Sequence, residues 1–411
     1  MDNQAKILIL GGGIWGLSTA YHLARAGETA IQVIERDEEP CGETTSQAAG
    51  LVGQIRSTPL MRRAIRYAID LFTGFEEETG YDPGFCQVGS LLLALTPERM
   101  VSYVEHVEHA NKSGVEAHFV DQDEMVRLAS HLDPSHVEGG YFVPGDGYVD
   151  PKQCAMALGA AAEDLGAKVR TGMRVTKISV RDDRAVGVET DRGFVGAEKV
   201  VITAGPWTGL LAKTAGYEPA MVPIRHQRVT TGYALGIPNH HPVVRVTDLS
   251  CYLRPENGGY LHGIFEPDPV VYDLEEWPPY ARTRDVECSV RIIAQAHERL
   301  APIFPILENL GIEECKRGLT TFAPDGAYLV GPVPKIENLF LATGCASLGI
   351  AGSAAVGRWL ANWVTRGEPG EDLSTVDLER FGHNGRDQEW VWKESKKFYA
   401  NYYSIPSMAV S

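Results

Sequence analysis

One stretch near the start of the chain narrows the fold more than any other. Lys6-Ile-Leu-Ile-Leu10 is a short continuous apolar run, which reads as a buried parallel strand. Gly11, Gly13 and Gly16 follow in the spacing Gly-x-Gly-x-x-Gly, and apolar residues at Leu17, Ala20, Tyr21, Leu23 and Ala24 then recur at helical spacing until Gly27. A second apolar run, Ile31 to Ile34, ends at Glu35. The stretch is a β-α-β unit. Its glycines permit the tight turn and let backbone amides, with Ile14 and Trp15 beside them, approach a pyrophosphate at the helix N-terminus. Glu35 lies nineteen residues after Gly16, where a carboxylate accepts from ribose hydroxyls and repels a 2′-phosphate, with Arg36 next to it. A dinucleotide site follows.

The fingerprint alone does not separate FAD from NAD. Two later segments favour FAD. Thr44-Thr45-Ser46-Gln47-Ala-Ala-Gly50-Leu51 is a small, hydroxyl-rich loop just beyond the first β-α-β unit. Leu339 to Thr343 is a late apolar strand, and the small residues from Gly349 through Ile350 and Gly352 predict a helix over about 349–365. The positive end of such a helix suits the electron-rich edge of a reduced flavin. No second Gly-x-Gly-x-x-Gly occurs, so a separate nicotinamide domain is not expected.

A chain of 411 residues exceeds what one hydrophobic core supports, so two structural units are expected. Nucleotide-type segments occur early, midway and late, which makes the units interleaved. A Rossmann-like α/β FAD-binding domain is expected over 1–83, 142–221 and 317–381. An α+β substrate domain with an antiparallel sheet takes 84–141 and 222–316, and a tail over 382–411 packs on the surface. Within these, helices are predicted over 60–78, from Thr96-Pro97 to Gly114, from Asp150-Pro151 to Gly166, and near 285–300.

The formal net charge is −16, with no basic footprint for nucleic acid and no attraction to anionic membranes. The seven cysteines are scattered without a zinc-like or disulfide spacing, as in a reducing cytosol, and no metal site is expected. Residues 7–24 lack the basic flank and cleavage site of a signal peptide, so the expected location is the cytoplasm.

With these motifs together, the chain resembles the glycine/D-amino acid oxidase superfamily. It is most similar to the oxidase half of dimethylglycine oxidase and dehydrogenase, with sarcosine and glycine oxidases as more distant likenesses. The resemblance rests on the fingerprint with Glu35, Thr44–Leu51, Pro223-Ile-Arg-His-Gln227, Tyr252-Leu-Arg-Pro-Glu256, Gly318-Leu-Thr-Thr-Phe-Ala-Pro-Asp-Gly326 with Gly331-Pro332, and Gly349–Gly352. It implies FAD as cofactor, with further contacts from Val175, Ala204, Gly205 and Trp207. It also implies hydride removal from a carbon next to nitrogen in a secondary or tertiary amine, of N-alkyl or N-carboxymethyl glycine type. Imine hydrolysis then yields an amine plus an aldehyde or glyoxylate. Covalent relatives carry a His or a Cys where this chain has Gln47 or Gly318, so the FAD is expected to be non-covalent. Large dimethylglycine oxidases continue into a folate-binding half, so here release of a one-carbon product is expected.

The resemblance places His226 and Tyr252 as the catalytic pair, suited by a near-neutral imidazole and an orienting hydroxyl. A substrate carboxylate calls for a cation, and Arg254 and Arg56 are the candidates, Arg254 on the sheet face of Tyr252 by period-two alternation. Arg225 then faces away from His226. His262 is the candidate cation for oxygen reduction. Asp325 reads equally as a turn residue or a neighbour of the flavin. The segment 236–285, with Trp277, Pro278 and Tyr280, is expected to shape the substrate pocket. Expected partners are a small amine substrate, O2, and a second copy of the chain in a homo-oligomer. A dehydrogenase with another electron acceptor, a subunit of a hetero-oligomeric oxidase, and a tRNA-modifying flavoprotein are the competing readings. The missing basic face counts against the last.

Overall fold

The structure is a computed structural model describing residues 4–404. Its first sheet has eight strands. Six form the order Val175–Arg181, Arg184–Thr190, Gly193–Ile202, Gln4–Leu10, Ile31–Ile34, Lys168–Arg170. Leu339–Thr343 pairs with Gly193–Ile202, and Leu329–Pro332 pairs with Leu339–Thr343. The central pairings are parallel and in register at their ends: Leu10 lies beside both Ile34 and Ile202, and Ile202 beside Leu341. The carboxyl ends of the strands therefore open together, which is where ligands bind in such sheets.

The fingerprint helix, Ile14–Arg25, is buried nearly all round, because helices Pro151–Asp164 and Ser353–Arg366 pack against it. Small residues permit this. A Cβ on Gly357 would come within 2.3 Å of Ser18 Oγ, and one on Gly159 would touch Leu17. The predicted caps are present: Thr96 accepts from the Arg99 amide and Asp150 from the Gln153 amide.

The second large sheet runs Ile312–Phe322, Val222–Thr231, Gly259–Ile264, Cys251–Glu256, Val243–Val246, Ser90–Ala94, Gly139–Val143, His118–Val120. It is antiparallel apart from one pair: Val243–Val246 runs parallel to Ser90–Ala94. The expected antiparallel sheet is present, with one parallel join where two chain segments far apart in sequence meet. Strands Ile312–Phe322 and Gly139–Val143 also cross the boundaries expected at 316 and 141. A three-stranded sheet, Leu51–Val52, Gly147–Val149 and Phe85–Cys86, stands beside the Thr44–Leu51 loop. The late helix begins at Ser353, later than expected, and Gly349–Gly352 form the turn before it.

No helix among the described residues is long and apolar enough to cross a membrane. The thiols of Cys288 and Cys315 lie 3.0 Å apart, a proximity nothing in their spacing foretold.

Candidate active site

Between the two large sheets lies a cavity of about 740 Å³, within the range of roughly 300–1,000 Å³ usual for ligand pockets. One end is lined by Glu35, Arg36, Val175 and Trp207, the middle by Gly11, Gly13, Thr45, Gln47, Gly349 and Ile350. The other end is lined by Arg56, His226, Arg245, Tyr252, Phe265, Tyr402 and Tyr403.

The nucleotide end is built as its glycines require. Gly11 has a φ of +108°, and a Cβ there would stand 2.6 Å from the Thr203 carbonyl. A Cβ on Gly16 would stand 1.9 Å from the Gly11 carbonyl, so Gly16 closes the turn without lining the cavity. No side chain caps Gly13 at the helix start, and the Ile14 amide donates to Thr45 Oγ1 at 3.1 Å. Glu35 accepts from the amides of Gly12 and Asp37 at 2.8 and 2.9 Å. Burial raises its carboxyl above the usual glutamate value, opposed by the Gly12 amide and by Arg36. The Arg36 guanidinium lies 3.7 Å from the Trp207 ring centroid, a cation–π contact.

The Thr44–Leu51 loop is fastened from several sides. Thr44 Oγ1 donates to the Leu319 carbonyl at 3.0 Å and Gln47 Nε2 to Thr283 Oγ1 at 2.6 Å. Arg228 Nε donates to the Gln47 carbonyl at 2.9 Å and Arg254 Nε to the Ala49 carbonyl at 2.7 Å. Trp15 Nε1 donates to the Gly349 carbonyl at 2.7 Å, tying the fingerprint helix to the late turn. Seventeen of the twenty expected cofactor residues line the cavity: Gly11, Gly13, Ile14, Trp15, Glu35, Arg36, Thr44, Thr45, Gln47, Gly50, Leu51, Val175, Ala204, Gly205, Trp207, Gly349 and Ile350. Ser46 instead donates to the Glu43 carbonyl, and Gly352 makes room for Tyr328, whose hydroxyl would lie 2.2 Å from a Cβ there. This cradle of backbone amides, closely approached glycines and a buried ribose-type carboxylate fits FAD.

At the other end, His226 Nε2 lies 2.9 Å from the Tyr252 hydroxyl and Nδ1 lies 2.7 Å from the Tyr399 hydroxyl. Burial, and then Arg228, push the imidazole down to about 4, so at neutral pH it is uncharged, below the near-neutral value expected of it. Burial raises the Tyr252 phenol. Arg56 Nη1 donates to the Ile55 carbonyl at 3.0 Å, but its buried Nε and Nη2 have no protein partner, and the buried Nε and Nη2 of Arg245 have none either. Burial, and then Arg245, lower the Arg56 pKa. Buried Asp146 attracts both guanidiniums while accepting the Gln54 amide at 2.9 Å. Buried donors without acceptors are costly. Both arginines line the same end of the cavity.

Several expectations are corrected. Arg254 shares a sheet face with Tyr252 but does not line the cavity. The Thr44–Leu51 loop covers it, and its guanidinium is committed to Ala49, Pro255, Glu256 and the Tyr148 ring. His262 is buried away from the cavity, with Nε2 3.3 Å from His297 Nδ1. Burial and His297 push it down to about 3, so it is neither cationic nor placed to meet oxygen. Asp325 pairs with Arg380 at 2.7 Å and is a turn residue. Arg225, as expected, faces away from His226, and it pairs with Glu266 at 2.7 Å. Segment 236–285 does reach the His226 end, through Arg245, Tyr252 and Phe265, but Leu274 and Trp277 pack with Trp207 and Leu210 at the nucleotide end. Tyr280 is exposed and meets Arg174.

The tail does more than pack on the surface. Helix Gln388–Ala400 keeps an exposed face, but its inner face and the turn over 401–404 reach the site: Tyr399 is fully buried on His226, Tyr402 stacks on Phe265 at 4.0 Å, and Tyr402 and Tyr403 line the cavity. Residues 405–411 of the tail lie outside the described residues. Arg245 was missed by sequence reasoning. Its one signal is a charge within the apolar run Val243-Val244-Arg245-Val246, where Val244 and Val246 face the core and Arg245 the opposite side.

Over residues 6–363 the chain matches the DAO family, described as FAD dependent oxidoreductase. It is 31% identical over 405 residues to the 4-methylaminobutanoate oxidase (formaldehyde-forming) of Paenarthrobacter nicotinovorans, across 98% of this chain and 49% of that protein. It is 32% identical over 388 residues to the mitochondrial dimethylglycine dehydrogenase of Mus musculus, across 92% of this chain and 44% of that protein. The chain thus spans about half the length of these relatives. Among solved structures, the L-proline dehydrogenase from P. horikoshii matches with a TM-score of 0.83 and 25% identity, over 93% of this chain and 98% of that one. Fingerprint, cavity and match over most of its length agree: this chain belongs to the FAD-dependent oxidoreductase family, with FAD as its cofactor.

Proposed function

We propose that this chain oxidises the carbon next to nitrogen in a small secondary or tertiary amine that carries a carboxylate, of N-alkyl or N-carboxymethyl amino acid type. The observation that carries this reading is the pair Arg56 and Arg245, whose buried, unpaired donors share one cavity end with His226 and Tyr252. Two guanidiniums against the one carboxylate of Asp146 leave a net positive charge, which a substrate carboxylate neutralises. The names of both relatives describe N-methylated amines that bear a carboxylate, which supports the same substrate class.

Bound FAD supplies the two-electron acceptor for the hydride. The protein's own part is positioning. Arg56 and Arg245 fix the carboxylate, Tyr252 orients the amine end, and Phe265 with Tyr402 exclude water. His226 stays uncharged at neutral pH, so it adds no positive charge beside the amine. The imine hydrolyses to an amine and an aldehyde or glyoxylate.

Oxygen is our proposed acceptor, giving hydrogen peroxide. A dehydrogenase with another acceptor is the second reading, favoured by the dimethylglycine dehydrogenase likeness. Substrate-reduced enzyme mixed with air decides between them: stoichiometric peroxide supports the oxidase, and reoxidation only by an added dye supports the dehydrogenase. The FAD is non-covalent in this account, because Gln47 and Gly318 replace the tethering residues and face each other, a Cβ on Gly318 lying 2.3 Å from Gln47 Oε1. Acid precipitation should leave the flavin in the supernatant, and flavin in the pellet would overturn this. The working location is the cytoplasm.

A further inference from the structure

We propose that Tyr399 is a positioning residue that sets the tautomer of His226, so that Tyr252 presents its hydroxyl proton to the cavity. This rests on the amine-oxidation reading for its consequence, but not for its geometry.

Tyr399 is 0% exposed, packed by Phe265 and Phe322 with ring centroids 5.2 Å away in each case. A buried hydroxyl proton needs an acceptor. Among the described residues the one hydrogen-bond partner of the Tyr399 hydroxyl is His226 Nδ1, at 2.7 Å. Tyr399 therefore donates and Nδ1 accepts.

A neutral imidazole carries one proton. With Nδ1 as acceptor, that proton sits on Nε2, 2.9 Å from the Tyr252 hydroxyl. Nε2 then donates to Tyr252, and since His226 is the one hydrogen-bond partner of the Tyr252 hydroxyl among the described residues, the Tyr252 proton has no protein acceptor there. Tyr252 lines the cavity, so its proton is offered there. The opposite arrangement, Nδ1 protonated and Tyr252 donating to Nε2, would strand the Tyr399 proton in the core. The other titratable or charged groups facing this ring are Arg228 on its own strand and the Glu266–Arg225 pair next to Tyr399.

The consequence is specific. His226 has no free nitrogen lone pair facing the cavity, so it does not take the amine proton. Tyr252 is a donor to the substrate, and the residue that makes it one comes from the tail, 173 positions beyond His226 in the chain.

The test is nitrogen-15 NMR of the holoenzyme labelled in its histidine rings, with His226 assigned by its loss in His226→Gln. The expected result is a proton-free Nδ1 and a protonated Nε2 in the wild type. In Tyr399→Phe, which keeps the ring, the signals should shift toward a mixture of tautomers. The variant should also lose roughly 3- to 10-fold in kcat/KM, the size of one neutral hydrogen bond, with flavin content unchanged. A protonated Nδ1 in the wild type overturns the proposal, and so does an unchanged tautomer in Tyr399→Phe. If Tyr399→Phe does not fold, the wild-type tautomer decides alone. If no amine reduces the flavin, the functional reading fails while the NMR result still decides this one.

Discussion

Replacing Arg245 by Met keeps the length of the apolar stem and removes the charge. In the wild type its Nε and Nη2 are buried and unpaired beside those of Arg56. A carboxylate docking there gains charge-assisted hydrogen bonds worth about 1.5–3 kcal/mol each. Losing one such bond, with Arg56 still in place, costs about 10- to 150-fold in kcat/KM. Most of it should fall on KM, because the carboxylate is held alike before and during reaction. The assay is anaerobic flavin reduction by an N-methyl amino acid and by its methyl ester, with a simple carboxylate as competing ligand. The acid should lose affinity and the ester should not. Arg56→Met should behave similarly, and the double variant should fall short of the sum, because both residues hold one anion. Equal loss for acid and ester, or unchanged carboxylate binding in Arg245→Met, would refute the reasoning.

Two other changes separate the roles assigned here. Arg254→Met should weaken flavin retention, because Arg254 Nε fastens the Ala49 carbonyl of the loop, while KM of the flavin-loaded fraction stays unchanged; a raised KM with full flavin would return Arg254 to the substrate. Stability should fall as pH drops from 6.5 to about 4, because burial holds His22, His226 and His241 at about 4 in the folded chain while the unfolded chain protonates them near 6.5. A thermal midpoint that is flat or rising across that interval, followed by calorimetry, would contradict the neutral buried histidines.

How much of this could be read from the sequence depends on whether a residue's role is local. Gly11, Gly13 and Glu35 declare themselves, because a turn, a helix start and a strand end impose residue types at fixed spacing. Arg56 is found because it follows the loop that the cofactor needs. Arg254 misleads because alternation gives the correct face but not what covers it: the Thr44–Leu51 loop, some two hundred residues earlier in the chain, lies over that face. His262 misleads similarly, since a histidine in a strand does not reveal His297 on a distant helix. Arg245 carries a faint signal, one charge in a run of valines. Tyr399, Tyr402 and Tyr403 carry none toward the site, because an aromatic cluster packs equally well on a surface, and only the path of the tail brings it over Phe265 and His226.

The central claim is that this chain alone, loaded with FAD, takes a hydride from a carboxylate-bearing amine. The direct measurement is anaerobic titration of the purified chain with sarcosine, dimethylglycine, 4-methylaminobutanoate and N-carboxymethyl amines, following the flavin's visible absorbance. Stoichiometric bleaching by at least one of these N-substituted amino acids, and none by the matching amine without its carboxylate, is the predicted result. A yellow protein that none of them bleaches, or one bleached equally well by amines lacking a carboxylate, would contradict the account.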